Sequence, residues 1–269
     1  MNMEKTAFYC NFNSKIFTYN SFNSHKILKL NLRKMKKTIL TLVILVFAAA
    51  NIAQAQNLQD VLEKHFKAIG QEKLSDIETY RIKAKVEQMG MEIPMDMKMK
   101  RPDKFRMEME MQGQKMIRTY NGEKGWMLAP WISSEPQSLT GAELEQAMTQ
   151  ADIDGELYNY EEKGFTAELL GKEFLGDAEV FNIKLTGEDG VERNYYINTD
   201  SYLVHSVKGK VEAQGQEITI EQIMGDYKDF DGIKMATKIE QKSPMGSANI
   251  IFEEIEFGVP LADSIFEKP

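Results

Sequence analysis

The chain alternates between apolar and charged side chains over two neighbouring segments near its middle. Apolar residues occupy every second position over 91–99 and again over 105–111. A period of two is typical of a β-strand that buries one face. Turn pairs such as Asn121-Gly122 separate these segments from further runs of the same kind. The pattern therefore predicts a mainly β (α+β) domain, built on one antiparallel sheet of about ten or eleven strands.

Two segments have helical spacing instead. Apolar residues from Leu58 to Ile69 recur near helical intervals, which predicts an amphipathic helix. A polar stretch over 133–155 interrupts the strands, and Gly141 to Ala151 within it is predicted to be helical. Thr140 and Glu143 form a candidate capping box at its start. Both helices are expected to cover the apolar face of the sheet, because a bare face of that size would aggregate.

Methionine is concentrated in the alternating segments. Nine of the 14 methionines after residue 55 lie between Met89 and Met116. Strands favour β-branched residues, whereas methionine is flexible and adapts to varied apolar partners. This face is therefore a candidate groove for acyl chains, and its predicted lining is Met95, Met97, Met99, Phe105, Met107, Met109, Met111 and Trp126. An ordinary methionine-rich core is one alternative, and Cu(I) binding by the thioethers is another.

The region before the domain has the pattern of a secretory signal peptide. Lys36 and Lys37 precede an apolar run, and the small residues Ala53 and Ala55 flank a cleavage site before Gln56. The run is shorter than the about 20 residues of a membrane span. We expect 1–34 to be an upstream extension outside the working protein, 35–55 to be the signal peptide, and 56–269 to be one exported, soluble, periplasmic domain.

The charge of that domain excludes one class of partner. Residues 1–55 hold eight of the 33 basic and one of the 41 acidic side chains, which leaves 25 and 40 and a net charge of −15. Such a domain is repelled by nucleic acid at long range. Cys10 is the only cysteine in the chain, so the domain is expected to use neither disulfides nor thiol chemistry.

The sequence contains no recognisable catalytic or cofactor-binding spacing. His65 and His205 do not form a metal-binding pattern, and no phosphate loop, dinucleotide fingerprint or nucleophile elbow occurs. We therefore expect a binding protein that is not an enzyme and that uses neither a cofactor nor a metal.

Several motifs resemble those of the LolA-like superfamily of periplasmic lipoprotein carriers. These are the Arg101-Pro102 turn followed by Phe105, the Asn121-Gly122 turn followed by Trp126, and the closing segment 260–269. A middle block is similar to outer-membrane lipoprotein-sorting proteins, over 160–164, 171–173, 195–198 and 226–234. The resemblance spans nearly the whole domain, although the methionine-rich face and the long middle block depart from the model carriers.

The resemblance implies a strongly curved sheet, a half barrel, with helices over its concave mouth. It also implies that the concavity holds acyl chains and that Arg101 latches the helical lid closed. A guanidinium in that turn can donate to acceptors in the lid segment, either the free carbonyls at a helix end or Asp152 and Asp154.

The leading functional hypothesis is a periplasmic carrier or binding protein for lipid or lipoprotein acyl chains, of the outer-membrane lipoprotein-sorting type. Its partners would be these chains and possible envelope membrane proteins. An envelope sensor or interaction module on the same fold is the first alternative, and a methionine-based copper-binding protein is the second.

The cleavage site gives a direct prediction. Protein recovered from the native envelope should begin at or within a few residues of Gln56 when its N-terminus is sequenced. A mature product that retains Cys10 or Met35 would contradict the processing scheme.

Overall fold

The computed structural model describes residues 57–269, except 189, 214 and 215. These residues belong to one structural unit, Ala55–Pro269. The predicted extension and signal peptide lie outside the described residues. Within the described part, no helix is both long enough and apolar enough to cross a membrane.

The domain is built on one open antiparallel sheet of 13 strands, and not the ten or eleven that the turn pattern suggests. The strands are β1 Thr79–Gln88, β2 Met91–Lys100, β3 Lys104–Met111, β4 Gln114–Tyr120, β5 Gly125–Leu128, β6 Gln137–Ser138, β7 Thr166–Leu175, β8 Ala178–Thr186, β9 Glu192–Asn198, β10 Val204–Ala213, β11 Gln216–Phe230, β12 Ile233–Ser243 and β13 Gly246–Phe257. The two-residue β6 is too short to produce a visible period in the sequence.

Tight turns join most of these strands. Gly90, Gly113 and Gly232 have positive φ angles, and so do the residues before them. Two consecutive residues with positive φ form the type of hairpin turn whose twist matches that of the flanking strands. The Met89-Gly90, Gln112-Gly113 and Asp231-Gly232 signals in the sequence therefore locate these three hairpins correctly.

The strand order explains why the middle segment interrupts the strands. It runs β6-β5-β4-β3-β2-β1-β13-β12-β11-β10-β9-β8-β7. The sheet is thus two meanders joined where β1 pairs with β13, and β6 and β7 are its two free edges. The connection between β6 and β7, residues 139–165, must therefore run from one edge of the sheet to the other.

Three α-helices accompany the sheet. They are α1 over 57–69, α2 over Gln71–Ser75 and α3 over Ala142–Ala151, and a 3₁₀ helix, η1, spans Asp263–Phe266. The first and third match the predicted helices, whereas α2 was not foreseen. The capping box was predicted wrongly, because Gly141 occupies the N-cap and no side chain caps α3.

Two apolar clusters share the sheet between them. One combines β1–β4 with α3 and the segments beside it, and the other combines α1 with β7–β9. Among the described side chains of β10–β12, only Ser206, Ile233 and Thr237 are buried. β13 has no buried side chain, so β10–β13 together are covered less than β1–β3 or β7–β9.

Gly70 fixes the helices to the sheet. It lies between α1 and α2 at φ 74°, and a Cβ there would meet the Gly232 carbonyl oxygen in the β11–β12 turn at 2.0 Å. Gly90 has a similar φ of 78° with open space around it. Both glycines thus have a left-handed backbone, and only at Gly70 does other backbone lie close to the position of an added Cβ.

This difference gives a matched test of fold stability. Both Gly70→Ala and Gly90→Ala force alanine into a left-handed conformation, which costs about 1–2 kcal/mol. Gly70→Ala also clashes with backbone, so it should lower the free energy of unfolding by at least about 2 kcal/mol more. Equal losses for the two variants in urea titrations would contradict the contact.

Candidate functional site

The structure places the methionines of β2 and β3 on one face of the sheet. Met95 lies opposite Met109, Met97 opposite Met107, and Met99 opposite Phe105. Residues directly opposite in an antiparallel pair share a face. We call this set, completed by Met111, the methionine face.

The methionine face is unevenly covered. Met95, Met99 and Phe105 are buried, and Met99 and Phe105 are only 3% and 1% exposed. Met97, Met107, Met109 and Met111 are half-buried and pack against the same cluster. The face is thus closed at the β2–β3 turn and around Ile93 and Met95 on β2, and it is more open along β3 beyond Phe105.

Trp126 does not join the methionine face. It lies opposite Thr119 on β4, which in turn lies opposite Arg106 on β3. Arg106 alternates with the methionines, so Trp126 is on the other side of the sheet. It is buried there, on the face where the Thr119 hydroxyl lies 2.8 Å from the carbonyl oxygen of Phe266 in η1. Trp126 is therefore placed to pack the outer face and not to line a groove.

The charged residues of β2 and β3 occupy that outer face, as the alternation predicts. Their side chains are nevertheless largely covered. The exposed fraction is 16% for Lys98 and 17% for Glu108. Arg106 donates to Glu108 at 2.7 Å, and Lys98 donates to Asp96 at 2.8 Å. Ion pairs between neighbouring side chains therefore cover much of this surface.

Helix α3 lies over the methionine face with a small apolar contact. Its Ala147 and Ala151 are fully buried in the first cluster, and Leu144 packs against it. Met148 is 49% exposed on the other side of the helix. Two alanines and one leucine bury little apolar area, so apolar packing alone holds α3 weakly.

Polar contacts attach the segment that follows α3. Arg101 donates from Nη1 to Asp154 Oδ2 at 2.6 Å and from Nη2 to Asp154 Oδ1 at 2.9 Å. Its remaining bonds reach the carbonyl oxygens of Leu74 at 3.1 Å and Ile77 at 2.8 Å, at and just after the end of α2. Of the lid acceptors that the sequence suggested for Arg101, the Asp154 carboxylate is engaged. The carbonyl acceptors belong to the region of α2, which was not predicted, and not to the lid.

Asp154 is the centre of this polar cluster. Gln71 and Ser75 of α2 also donate to its Oδ1, at 2.8 and 3.2 Å. Burial raises the pKa of Asp154, but the hydrogen bonds and charge of Arg101 outweigh burial and leave the pKa below its ordinary value of 3.8. The contact with Asp154 also raises the pKa of Arg101. The pair is therefore fully ionised near neutral pH.

A cavity of about 250 Å³ opens on the outer face of β1–β3. Most of its lining residues belong to that face, including Lys83, Asp96 and Glu108, whereas Met95 and Met109 alternate with them along the strands. This cavity is therefore not part of the methionine face, and an acyl chain on the methionine face would need the room that α3 occupies.

The apolar surface also continues past the methionine face. Val86 lies opposite Ile250, Ile250 opposite Ile239, and Ile239 opposite Met224. Ile250, Ile239 and Met224 are half-buried. This row extends the same face towards the poorly covered centre of the sheet.

A second cavity, of about 490 Å³, lies at β11–β13 beside Tyr227 and Phe252, and no motif in the sequence indicated it.

Two residues near α3 were missed by sequence reasoning. Gln71 reaches Asp154 from a helix that was not predicted. Arg118 lies opposite Met107 and Met127 and donates to α3. The register of β4 places Arg118 between Met116 and Tyr120 on the methionine face, and the sequence pattern alone does not show this.

No cluster of three or more His, Cys, Asp or Glu side chains that would hold a metal ion occurs among the described residues. Comparison of the sequence with protein-family models and with curated proteins gives no match.

Solved structures do match the fold. A DUF1329 family protein from Desulfovibrio piger has a TM-score of 0.54 and 14% identity, and the match covers 77% of this chain and 97% of that one. A LolA superfamily protein from Nitrosomonas europaea has a TM-score of 0.53 and 16% identity, over 78% and 97% of the two chains. A Vibrio parahaemolyticus domain named for outer membrane lipoprotein sorting has a TM-score of 0.52 and 13% identity, over 74% and 94%.

The chain therefore has the fold of the LolA superfamily, an open curved antiparallel sheet with helices on one face. The resemblance seen in the sequence motifs is confirmed at the level of the fold. At these identities the match describes architecture, and the activity must be argued from the residues of this chain.

The Arg101–Asp154 pair gives a prediction for pH dependence. Because folding lowers the pKa of Asp154, the pair contributes stability that is fully present above pH 3.8 and is lost as the pH falls below it. Asp154→Asn should lower the free energy of unfolding by about 1–3 kcal/mol at pH 7. The difference from the unmodified protein should shrink below pH 3.8.

The control is Asp60→Asn, which removes an exposed pair with Lys64 on α1. Exposed pairs are worth about 0–1 kcal/mol, so this variant should unfold nearly as the unmodified protein does at every pH. A pH-independent loss for Asp154→Asn, measured by thermal unfolding from pH 7 to 3, would refute the ionic contribution.

Proposed function

We propose that this protein is an exported carrier or binding protein of the cell envelope that holds acyl chains of a lipid or lipoprotein on its methionine face, beneath a movable α3. The observation that carries the proposal is a methionine-lined sheet face covered by a helix with little apolar contact of its own. The signal-peptide pattern supports export to the periplasm. The match to a domain named for outer membrane lipoprotein sorting supports the class of cargo.

The lining suits a flexible chain. Methionine has three rotatable bonds and a polarizable sulfur, so it can follow an acyl chain in many conformations. Each buried CH₂ of the ligand contributes about 0.8 kcal/mol. A chain of ordinary length therefore gains enough to displace a helix that buries two alanines and one leucine. Binding is a partition step and needs no covalent chemistry.

The attachments of the cover suit reversible opening. Arg101 holds residues 152–154 through hydrogen bonds to Asp154, and water can replace such bonds when the segment moves away. These polar contacts favour closure, and Ile153 next to Asp154 adds a buried apolar side chain that opening exposes. Closure returns α3 to the methionine face and so competes with the ligand, which gives a route to release. In this scheme Arg101 is the lid latch.

A second candidate is a sensor or interaction module on the same fold. The loop between β5 and β6 carries large exposed apolar side chains, with Trp131 at 47% and Ile132 at 67% exposure. Such residues favour contact with a partner protein of the envelope. In that case the groove would be empty and the partner would bind this loop.

Native mass spectrometry of the mature protein, purified from its own envelope, separates these functions. Co-purified lipid supports the carrier. An empty protein that captures an envelope protein supports the sensor, and bound copper supports the copper-binding alternative.

Direct acyl binding gives the sharper test. Met109 lies opposite Met95 on the methionine face and is half-buried, so an acyl chain would complete its contacts. Met109→Gln keeps the length of the side chain and adds an unpaired amide, which should weaken binding of a lysophospholipid about fivefold in calorimetric titrations.

The matched control is Met148→Gln, the same change on the exposed side of α3. It should leave the affinity unchanged. Equal affinities for Met109→Gln and the unmodified protein would count against a groove at this face, and the absence of binding to the unmodified protein would refute the carrier function.

A further inference from the structure

Arg118 is a cation on the methionine face. It lies on β4 directly opposite Met107 on one side and Met127 on the other. The row continues from Met107 to Met97, Ile82 and Ile255 on successive strands. Burial disfavours the charged form of an arginine in such a row and lowers the pKa of Arg118, and the charge of Glu143 on α3 offsets this only in part. A buried charge of this kind is normally paired with an opposite charge.

The other arginines of the described chain have such a partner. Arg81, Arg101, Arg106 and Arg193 each lie within ion-pair distance of a carboxylate, on Asp96, Asp154, Glu108 and Glu156 respectively. Within the residues that the structure describes, Arg118 is the one arginine without a carboxylate at that distance. Its guanidinium therefore lacks the direct ion pair that neutralises each of the others.

The partners of Arg118 are neutral and belong to the cover. Nη2 donates to the Glu143 carbonyl oxygen at 2.6 Å, and Nη1 donates to the Gln146 side-chain oxygen at 3.0 Å. Both oxygens are on α3. The Nε atom is buried and has no hydrogen-bond partner. Lifting α3 would therefore remove both hydrogen-bond acceptors that this guanidinium has among the described residues of the protein.

We propose that Arg118 binds the anionic head group of the acyl ligand, a carboxylate or a phosphate, in the place that α3 occupies in the closed protein. The inference rests on the proposed acyl-binding function and specifies its ligand. The planar fork of a guanidinium matches the two oxygens of a carboxylate or phosphate. A charged oxygen compensates the desolvated cation better than the two neutral oxygens of α3 do.

The geometry also orients the ligand. From Arg118 the apolar row crosses four strand spacings to Ile255, a span of about 19 Å at about 4.8 Å per strand. A head group at Arg118 therefore directs its chain over Met107 and Met97 towards the centre of the sheet. The head group and α3 cannot both occupy Arg118, so binding of the head group displaces the cover.

The test compares ligands that share one chain and differ in the head group. Dodecanoate, dodecyl phosphate and 1-dodecanol are titrated against the mature protein, and each Kd is measured. The unmodified protein should bind both anions at least about tenfold more tightly than the alcohol. In Arg118→Gln that preference should fall to near unity. The ratio of the Kd values is the quantity to compare. A variant that only loosens α3 changes all three Kd values together and leaves their ratio unchanged.

Lys115→Gln is the matched control, since it removes a positive charge from the same strand on the outer face, where Lys115 pairs with Glu108. It should keep the full preference for the anions. Arg118→Met provides a second variant that matches its neighbours Met107 and Met127, and it should lose the preference in the same way. A preference for only one anion would identify the head group as carboxylate or phosphate.

The outcomes separate this inference from the carrier function. Equal binding of all three ligands by the unmodified protein would leave the groove intact and overturn the role of Arg118. A preference that survives in both Arg118 variants would overturn it as well. Failure of every ligand to bind the unmodified protein would overturn the acyl-binding function and this inference with it.

Discussion

An open antiparallel sheet with one apolar face must cover that face, and the rest of this structure depends on how it does so. The sheet does not close on itself, because its edge strands β6 and β7 are at opposite ends of the strand order. The chain between them has to run from one edge to the other, and it carries α3 over the methionine face on the way. The cover is thus a consequence of the topology, and it is a separate element whose removal does not break any strand pairing.

Two arginines hold this cover, and their environments differ in a way that fits two tasks. Arg101 has a carboxylate on the cover and carbonyls from and just after α2, so its charge is neutralised while the cover is closed. Arg118 has only neutral oxygens of α3 and one unpaired nitrogen. In the closed protein a carboxylate therefore neutralises the charge of Arg101, whereas no ion pair within the described part of the chain neutralises the charge of Arg118. The first arrangement favours the closed protein, and the second provides a reason for an anionic ligand to open it.

The sequence predicted which side chains share a face of the sheet better than it predicted the number and ends of the strands. Strict alternation in β2 and β3 indicated which side chains share a face, and the glycine turns located the hairpins. Trp126 was assigned to the groove because a four-residue strand is too short to show its own period, and only its register with Thr119 reveals the outer face. Arg118 escaped notice for a related reason. β4 has apolar residues at both parities, Met116 and Ile117 being neighbours, so its inward side cannot be read from the pattern. Contacts such as Gln71 with Asp154 join residues 83 positions apart, and local patterns carry no information on them.

The central claim is that α3 leaves the methionine face when an acyl ligand binds. The most direct measurement is the distance between spin labels at Thr149, exposed on α3, and Glu253, exposed on β13. Cys10 is the only native cysteine and lies upstream of the domain, so cysteines introduced at these two positions can be labelled selectively. Addition of a lysophospholipid should lengthen the distance measured by double electron–electron resonance. An unchanged distance in protein that has demonstrably bound the lipid would contradict the account.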